Sequence, residues 1–121
     1  MRFYDNTRWD KLLYDFTQYT TTSGEFGLVL RHDTKAVVWT RMSMEFADWL
    51  SDFIAKKLIF LNPTTAENYK DTKHPALPVI TELTEKRLDK PHWMPFTLRL
   101  VPPPMGSAQF GRVARIKLGR G

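Results

Sequence analysis

Residues 26–42 read FGLVLRHDTKAVVWTRM, and no other stretch restricts the fold as much. Phe26, Leu28 and Leu30 alternate with Gly27, Val29 and Arg31, and Val37, Trp39 and Arg41 alternate with Ala36, Val38 and Thr40. A period of two over such short runs specifies strands, and the break His32-Asp33-Thr34-Lys35 specifies the turn that makes them a hairpin. An isolated hairpin is marginal in water, so the rest of the chain has to cover it.

The flanking segments supply that cover. Trp9, Leu12, Leu13 and Phe16 stand at i, i+3, i+4 and i+7, which predicts a helix from about Thr7 to Tyr19. Thr7 followed by Asp10 resembles a capping box, and the polar run Thr20 to Gly24 ends the helix. Ser43 is placed to cap a second helix, Met44 to about Phe60, with Phe46, Trp49, Leu50, Phe53 and Ile54 on one face and Asn62-Pro63 as its stop. Pro63, Pro75 and Pro78 then punctuate a polar stretch that reads as an exposed loop over 63–78. Residues 79–90, VITELTEKRLDK, are expected to form a short helix, although three β-branched residues in its first turn suit a strand nearly as well. Two strand-like runs, FTLRLV and GRVARIKL, close the chain across the stiff linker PPPMGSAQ, with a frayed end at 119–121.

The order α-β-β-α-(α)-β-β predicts an α+β fold. It is a single domain over 1–121, a four-stranded, largely antiparallel sheet with helices packed on one face. At 121 residues, with 42% hydrophobic and 13% aromatic side chains, the chain can fill such a core without covalent staples. It contains no cysteine, which excludes disulfides, thiolate metal sites and cysteine nucleophiles. The longest apolar run is Leu58 to Leu61, and the first residues break any signal-peptide pattern, so a soluble, cytoplasmic protein without membrane contact is expected.

Catalytic motifs are absent from the sequence. His32, His74 and His92 are scattered, and none stands at i+3 or i+4 from a second ligand on a predicted helix. No glycine-rich phosphate loop and no activated nucleophile is present, so no catalytic residue, cofactor or metal is expected. One enzymatic class needs little signature: a motif-poor ribonuclease working through arginine, lysine or histidine, such as Arg99, Arg115 and His92.

Charge is the informative feature. The net +5 arises wholly after residue 60, where ten basic side chains face five acids, while residues 1–60 balance at eight each. Every charged residue in the predicted strands is basic: Arg31, Arg41, Arg99, Arg112, Arg115 and Lys117. Like charges directly opposite in a sheet repel, so a one-signed face makes sense where an anion neutralises it. Solubility and protection of a strand edge account for the same residues without a ligand. If the two C-terminal strands pair, Arg99 shares an outward face with Arg115 and Lys117, and Arg31, Arg41 and Trp39 extend it on the hairpin. The leading expectation is therefore a non-catalytic nucleic-acid-binding protein, for DNA or RNA. Arg99, Arg112, Arg115, Lys117 and Arg120 would contact phosphates, Arg31 and Arg41 would be secondary, and Trp39 would be a candidate stacker. The alternative is an adaptor or inhibitor that binds a protein through loops carrying Tyr69, Trp93, Met94 and Met105.

Overall fold

The structure is a computed structural model, and it describes residues 6–83, 86–101 and 112–117. It is a small α+β domain of two helices and two mostly antiparallel sheets. The expected hairpin is present as β2 (Ser23–Leu30) and β3 (Ala36–Met42), with Leu28 opposite Trp39. It forms the centre of a four-stranded sheet of order β5-β3-β2-β7, where β5 is His92–Trp93 and β7 is Val113–Lys117. β7 runs antiparallel to β2, and β5 runs parallel to β3. A second, three-stranded antiparallel sheet has the order β1-β6-β4, from Thr7–Arg8, Phe96–Arg99 and Phe60–Pro63.

Both strong helical patterns form helices, each shorter than its pattern. Helix α1 spans Trp9–Phe16, and Thr7 does not cap it, because Thr7 is already paired with Leu98 in β1. Helix α2 spans Met44–Ala55, and Ser43 caps it as expected, its Oγ accepting the Phe46 N–H at 3.1 Å. It stops well before Pro63 because Lys57 turns left-handed, at φ 60°. Lys57 N–H then donates to Ile54 O at 3.1 Å and Leu58 N–H to Phe53 O at 3.0 Å, a Schellman closure built without glycine. The chain thereby escapes into β4, where the sequence pattern predicts the end of the helix.

The expected helix over 79–90 is not formed by its described residues. Pro78 and Trp93 exchange backbone groups instead: Trp93 N–H donates to Pro78 O at 2.8 Å, and Ile80 N–H donates to Trp93 O at 3.0 Å. A segment opening Pro-Val-Ile-Thr takes extended backbone more readily than a helical turn, and here the sheet offers it partners. The 63–78 stretch is not simply an exposed loop either. A short 3₁₀ turn, Ala66–Tyr69, buries Tyr69 completely, and Pro75 is buried as well.

The core joins the two sheets. Trp9 and Leu12 of α1 and Phe46, Ala47, Leu50 and Ile54 of α2 meet Leu28, Leu30 and Trp39 of the hairpin and Phe96 and Leu98 of β6. Tyr69, Trp39 and Trp93 form an aromatic knot with ring centroids 5.1 to 6.1 Å apart. Val29 and Val37 are also fully buried, yet lie outside this cluster. Side chains alternate across a strand, so both faces of the hairpin are covered. Among the described residues, the hairpin from Leu28 to Leu30 and from Ala36 to Trp39 therefore has no open face.

Candidate functional site

The structure separates most of the basic residues that the sequence pattern groups together. The two C-terminal strands do not pair: β6 carries Arg99 in the three-stranded sheet, half-buried opposite Phe60, while β7 belongs to the other sheet. Arg115 and Lys117 share a side of β7, but that side is the one α2 packs against. Arg115 reaches Asp48 on α2 and lies over the Phe26 ring, 5.2 Å from its centroid. Lys117 lies 3.9 Å from Glu25. Trp39 is buried in the aromatic knot and offers no surface to a base. Arg41 is exposed at the end of β3 away from the turn, and Arg120 lies outside the described residues.

Arg31 and Arg112, in contrast, come together. Arg31 N–H donates to Arg112 O at 3.1 Å, extending the β2–β7 ladder by one step beyond Leu30 and Val113. The Arg31 guanidinium is held at the same place, its Nε donating to Val113 O at 3.3 Å. Both residues are exposed, and among the described residues neither has a carboxylate partner.

The hairpin turn and the loop before β5 lie at this same end of the sheet. His92 N–H donates to Lys35 O at 2.8 Å, and Leu88 N–H donates to Asp33 Oδ2 at 2.9 Å. Asp33 is only 5% exposed, and its other oxygen accepts the Lys35 N–H at 3.1 Å. The carboxylate is therefore spent on holding the 86–92 loop against the turn. Segments 31–35, 86–92 and residue 112 thus line one rim, which crosses the sheet from β7 through β2 and β3 to β5. The rim holds six cations, Arg31, Lys35, Lys86, Arg87, Lys90 and Arg112, against Asp33 and Asp89. His32 and His92 lie within it. Three strand intervals of about 4.8 Å make it roughly 14 Å wide.

Elsewhere several cations are matched, although Arg41, Lys57 and Lys73 have no carboxylate partner among the described residues. Arg115 and Lys117 have the partners given above, and Lys56 pairs with Asp52 at 2.9 Å. Arg8 forms a bidentate pair with Asp10, at 3.0 and 2.7 Å, and reaches Asp71 at 2.8 Å and Asn68 O at 2.9 Å. The hydrogen bond to Asp10 pushes the Arg8 pKa up against the opposing effect of burial, and the hydrogen bond from Arg8 holds the Asp71 carboxyl below its ordinary value. Beneath this clamp the Tyr69 hydroxyl accepts Trp9 N–H at 3.1 Å and donates to Phe96 O at 2.6 Å, and burial pushes its pKa strongly upward. These contacts tie the 66–71 turn to α1 and β6. They account for Arg8, Asp10 and Asp71 as structure.

Half of the rim was readable in the sequence. Lys86, Arg87 and Lys90 stand within five residues, a local density that the expected helix would have spread around its circumference. Lys35 lies in the predicted turn. The meeting of Arg31 with Arg112, 81 positions apart, has no local signal. Likewise, Tyr69, Trp93 and Met94, candidates for anchoring a protein, are all buried, and Met105 lies outside the described residues.

Among the described residues no cluster of His, Asp or Glu could hold a metal, and no helix is long and apolar enough to cross a membrane. Against known proteins, the chain matches no family model, no curated protein and no solved structure.

Proposed function

We propose that this protein binds nucleic acid without acting on it chemically, laying the phosphodiester backbone along the basic rim. One observation carries the reading: Arg31, Lys35, Arg87, Lys90 and Arg112 share a rim with two carboxylates, and one of those carboxylates is buried and occupied by backbone N–H groups. Surplus like charge on a narrow ledge costs free energy that a polyanion with regularly spaced phosphates recovers. The phosphate contacts belong to Arg31, Lys35, Arg112 and the 86–90 loop. With Trp39 in the core, base stacking drops out, and recognition by backbone contact alone reads charge and spacing rather than sequence.

The test is fluorescence anisotropy with labelled single-stranded DNA, duplex DNA and RNA at two salt concentrations. Four phosphate contacts give a log-log salt slope of about −3.6 on duplex DNA and about −2.8 on a single strand. Arg31→Glu with Arg112→Glu should abolish binding and leave the thermal midpoint nearly unchanged, since both side chains are exposed. Arg115→Glu with Lys117→Glu is the contrasting control, expected to lower stability through Asp48 and Glu25 more than it lowers affinity. Absence of binding at low salt to every polymer sinks the proposal.

A protein partner is the second reading, and it moves from the loops to the helices. Trp49, 36% exposed, packs on Phe53 at 4.1 Å and Phe16 at 5.0 Å, with the exposed Tyr19 just beyond α1 against Phe16 and the exposed Met44 at the start of α2. A surface aromatic group of this kind suits an interface anchor.

A further inference from the structure

The 86–92 loop lines an open depression of about 390 Å³ at the β5 end of the rim. Its walls are Lys86, Arg87, Leu88, Asp89, Lys90 and His92. Two hydrogen bonds fix the loop to the hairpin turn, from Leu88 N–H to Asp33 and from His92 N–H to Lys35 O. The depression is therefore docked on the sheet rather than hung from a free loop. Arg87 and Lys90 have no carboxylate partner among the described residues, and Asp89 is the single acid in the wall. His92 Nδ1 lies 2.8 Å from Lys90 O. A carbonyl can only accept, so Nδ1 carries hydrogen, leaving Nε2 to accept when the ring is neutral and to donate when it is charged.

We infer that this depression is a pocket for a phosphate monoester: the terminal phosphate of a strand whose internal phosphates follow the rim, or that of a free mononucleotide. It rests on the reading of the rim as a backbone track, which it deepens by naming what occupies the end. Two features select a monoester over a diester. A terminal phosphate carries a charge of about −1.5 to −2 at neutral pH and three acceptor oxygens, where a diester carries a single charge. The Arg87 guanidinium can engage two of those oxygens at once, with Lys90 as a point charge beside it. The depression also lies where the rim ends, on the β5 side, away from Arg31 and Arg112 on the β2–β7 side.

The experiment compares ten-nucleotide RNA carrying a 5′-phosphate, a 3′-phosphate or hydroxyls at both ends, by anisotropy. In parallel, AMP and inorganic phosphate are titrated while the His92 ring resonances are followed by NMR. One phosphorylated end should bind about ten-fold more tightly than the hydroxyl-ended strand, the scale of one charge-assisted hydrogen-bond set. Arg87→Gln with Lys90→Gln should erase that ratio, and Arg31→Gln with Arg112→Gln should lower all three affinities together and keep it. The exposed positions of Arg87 and Lys90 predict an unchanged thermal midpoint, which separates lost binding from lost folding. Equal affinity for all three ends, with His92 unmoved by AMP, overturns the pocket and leaves the rim reading standing. Failure of every oligomer to bind while AMP moves His92 in the wild type, but not in Arg87→Gln with Lys90→Gln, overturns the rim and retains the pocket for a free nucleotide.

Discussion

Replacing Asp33 by Asn tests how the basic loop is attached. The carboxylate is 5% exposed and accepts Lys35 N–H at 3.1 Å through one oxygen and Leu88 N–H at 2.9 Å through the other. An amide has one oxygen, so whichever N–H keeps its acceptor, the other faces an NH₂ group. Loss of one hydrogen bond to a charged acceptor costs about 1.5–3 kcal/mol. Leu88 N–H can recover water if the loop lifts away, which keeps the expected cost near 2 kcal/mol. For a chain of this size that corresponds to a fall of about 6–10 °C in the thermal midpoint. The local signature is sharper than the global one. Hydrogen exchange at Leu88 should accelerate at least as much as global unfolding does, while amides in α2 should follow global stability alone. Affinity for phosphorylated RNA should fall as well, because the wall of the depression is no longer fixed. A midpoint within about 1 °C of wild type, together with unchanged Leu88 protection, would refute the assignment of Asp33 as the tie.

Two further outcomes concern the scaffold. Tyr69→Phe should cost about 2–3 kcal/mol in urea unfolding, because Trp9 N–H and Phe96 O are left buried without their partner, and a cost under 0.5 kcal/mol would show that both groups find replacements. Lys57→Gly should raise stability by about 0.5–1 kcal/mol, since the left-handed φ of 60° burdens a residue with a side chain but not glycine, and a loss of stability would mean that the Lys57 stem contributes more than its strain.

What was legible in the sequence were the features that repeat along the chain. The hairpin announced itself through its period of two, and Ser43 announced α2 through capping chemistry. What was hidden lies in pieces too short to carry a period. β1 and β5 have two residues each and β4 has four, yet β1 and β4 flank β6 in a second sheet and β5 extends the first. Without them FTLRLV and GRVARIKL look like natural partners, and Arg99 looks like a neighbour of Arg115. The phase of β7 was hidden for a different reason. Ala114 and Ile116 are the apolar alternates, but Val113 is the buried residue, and Arg115 keeps to the same side by laying its guanidinium over the Phe26 ring and pairing with Asp48. A long basic side chain can cover apolar surface while its head stays wet, so alternation of polarity does not fix which face is covered. The candidate site was half visible for the same kind of reason: Lys86, Arg87 and Lys90 are near in sequence, and Arg31 and Arg112 are near only in space.

The way the strands pair has a consequence for how the protein is made. Thr7 pairs with Leu98 in one sheet, and Phe26 pairs with Lys117 in the other, a separation of 91 residues in both. Closing a loop of that length costs about 4 kcal/mol in chain entropy beyond a constant, before either sheet returns any of it. Helix α2 and the hairpin can form as soon as they are synthesised, but α2 then waits with part of its apolar face uncovered until β7 has been translated. The fold should therefore collapse in two kinetic steps, with the second gated by arrival of the C-terminal strands, and nascent chains truncated before Val113 should expose hydrophobic surface to chaperones.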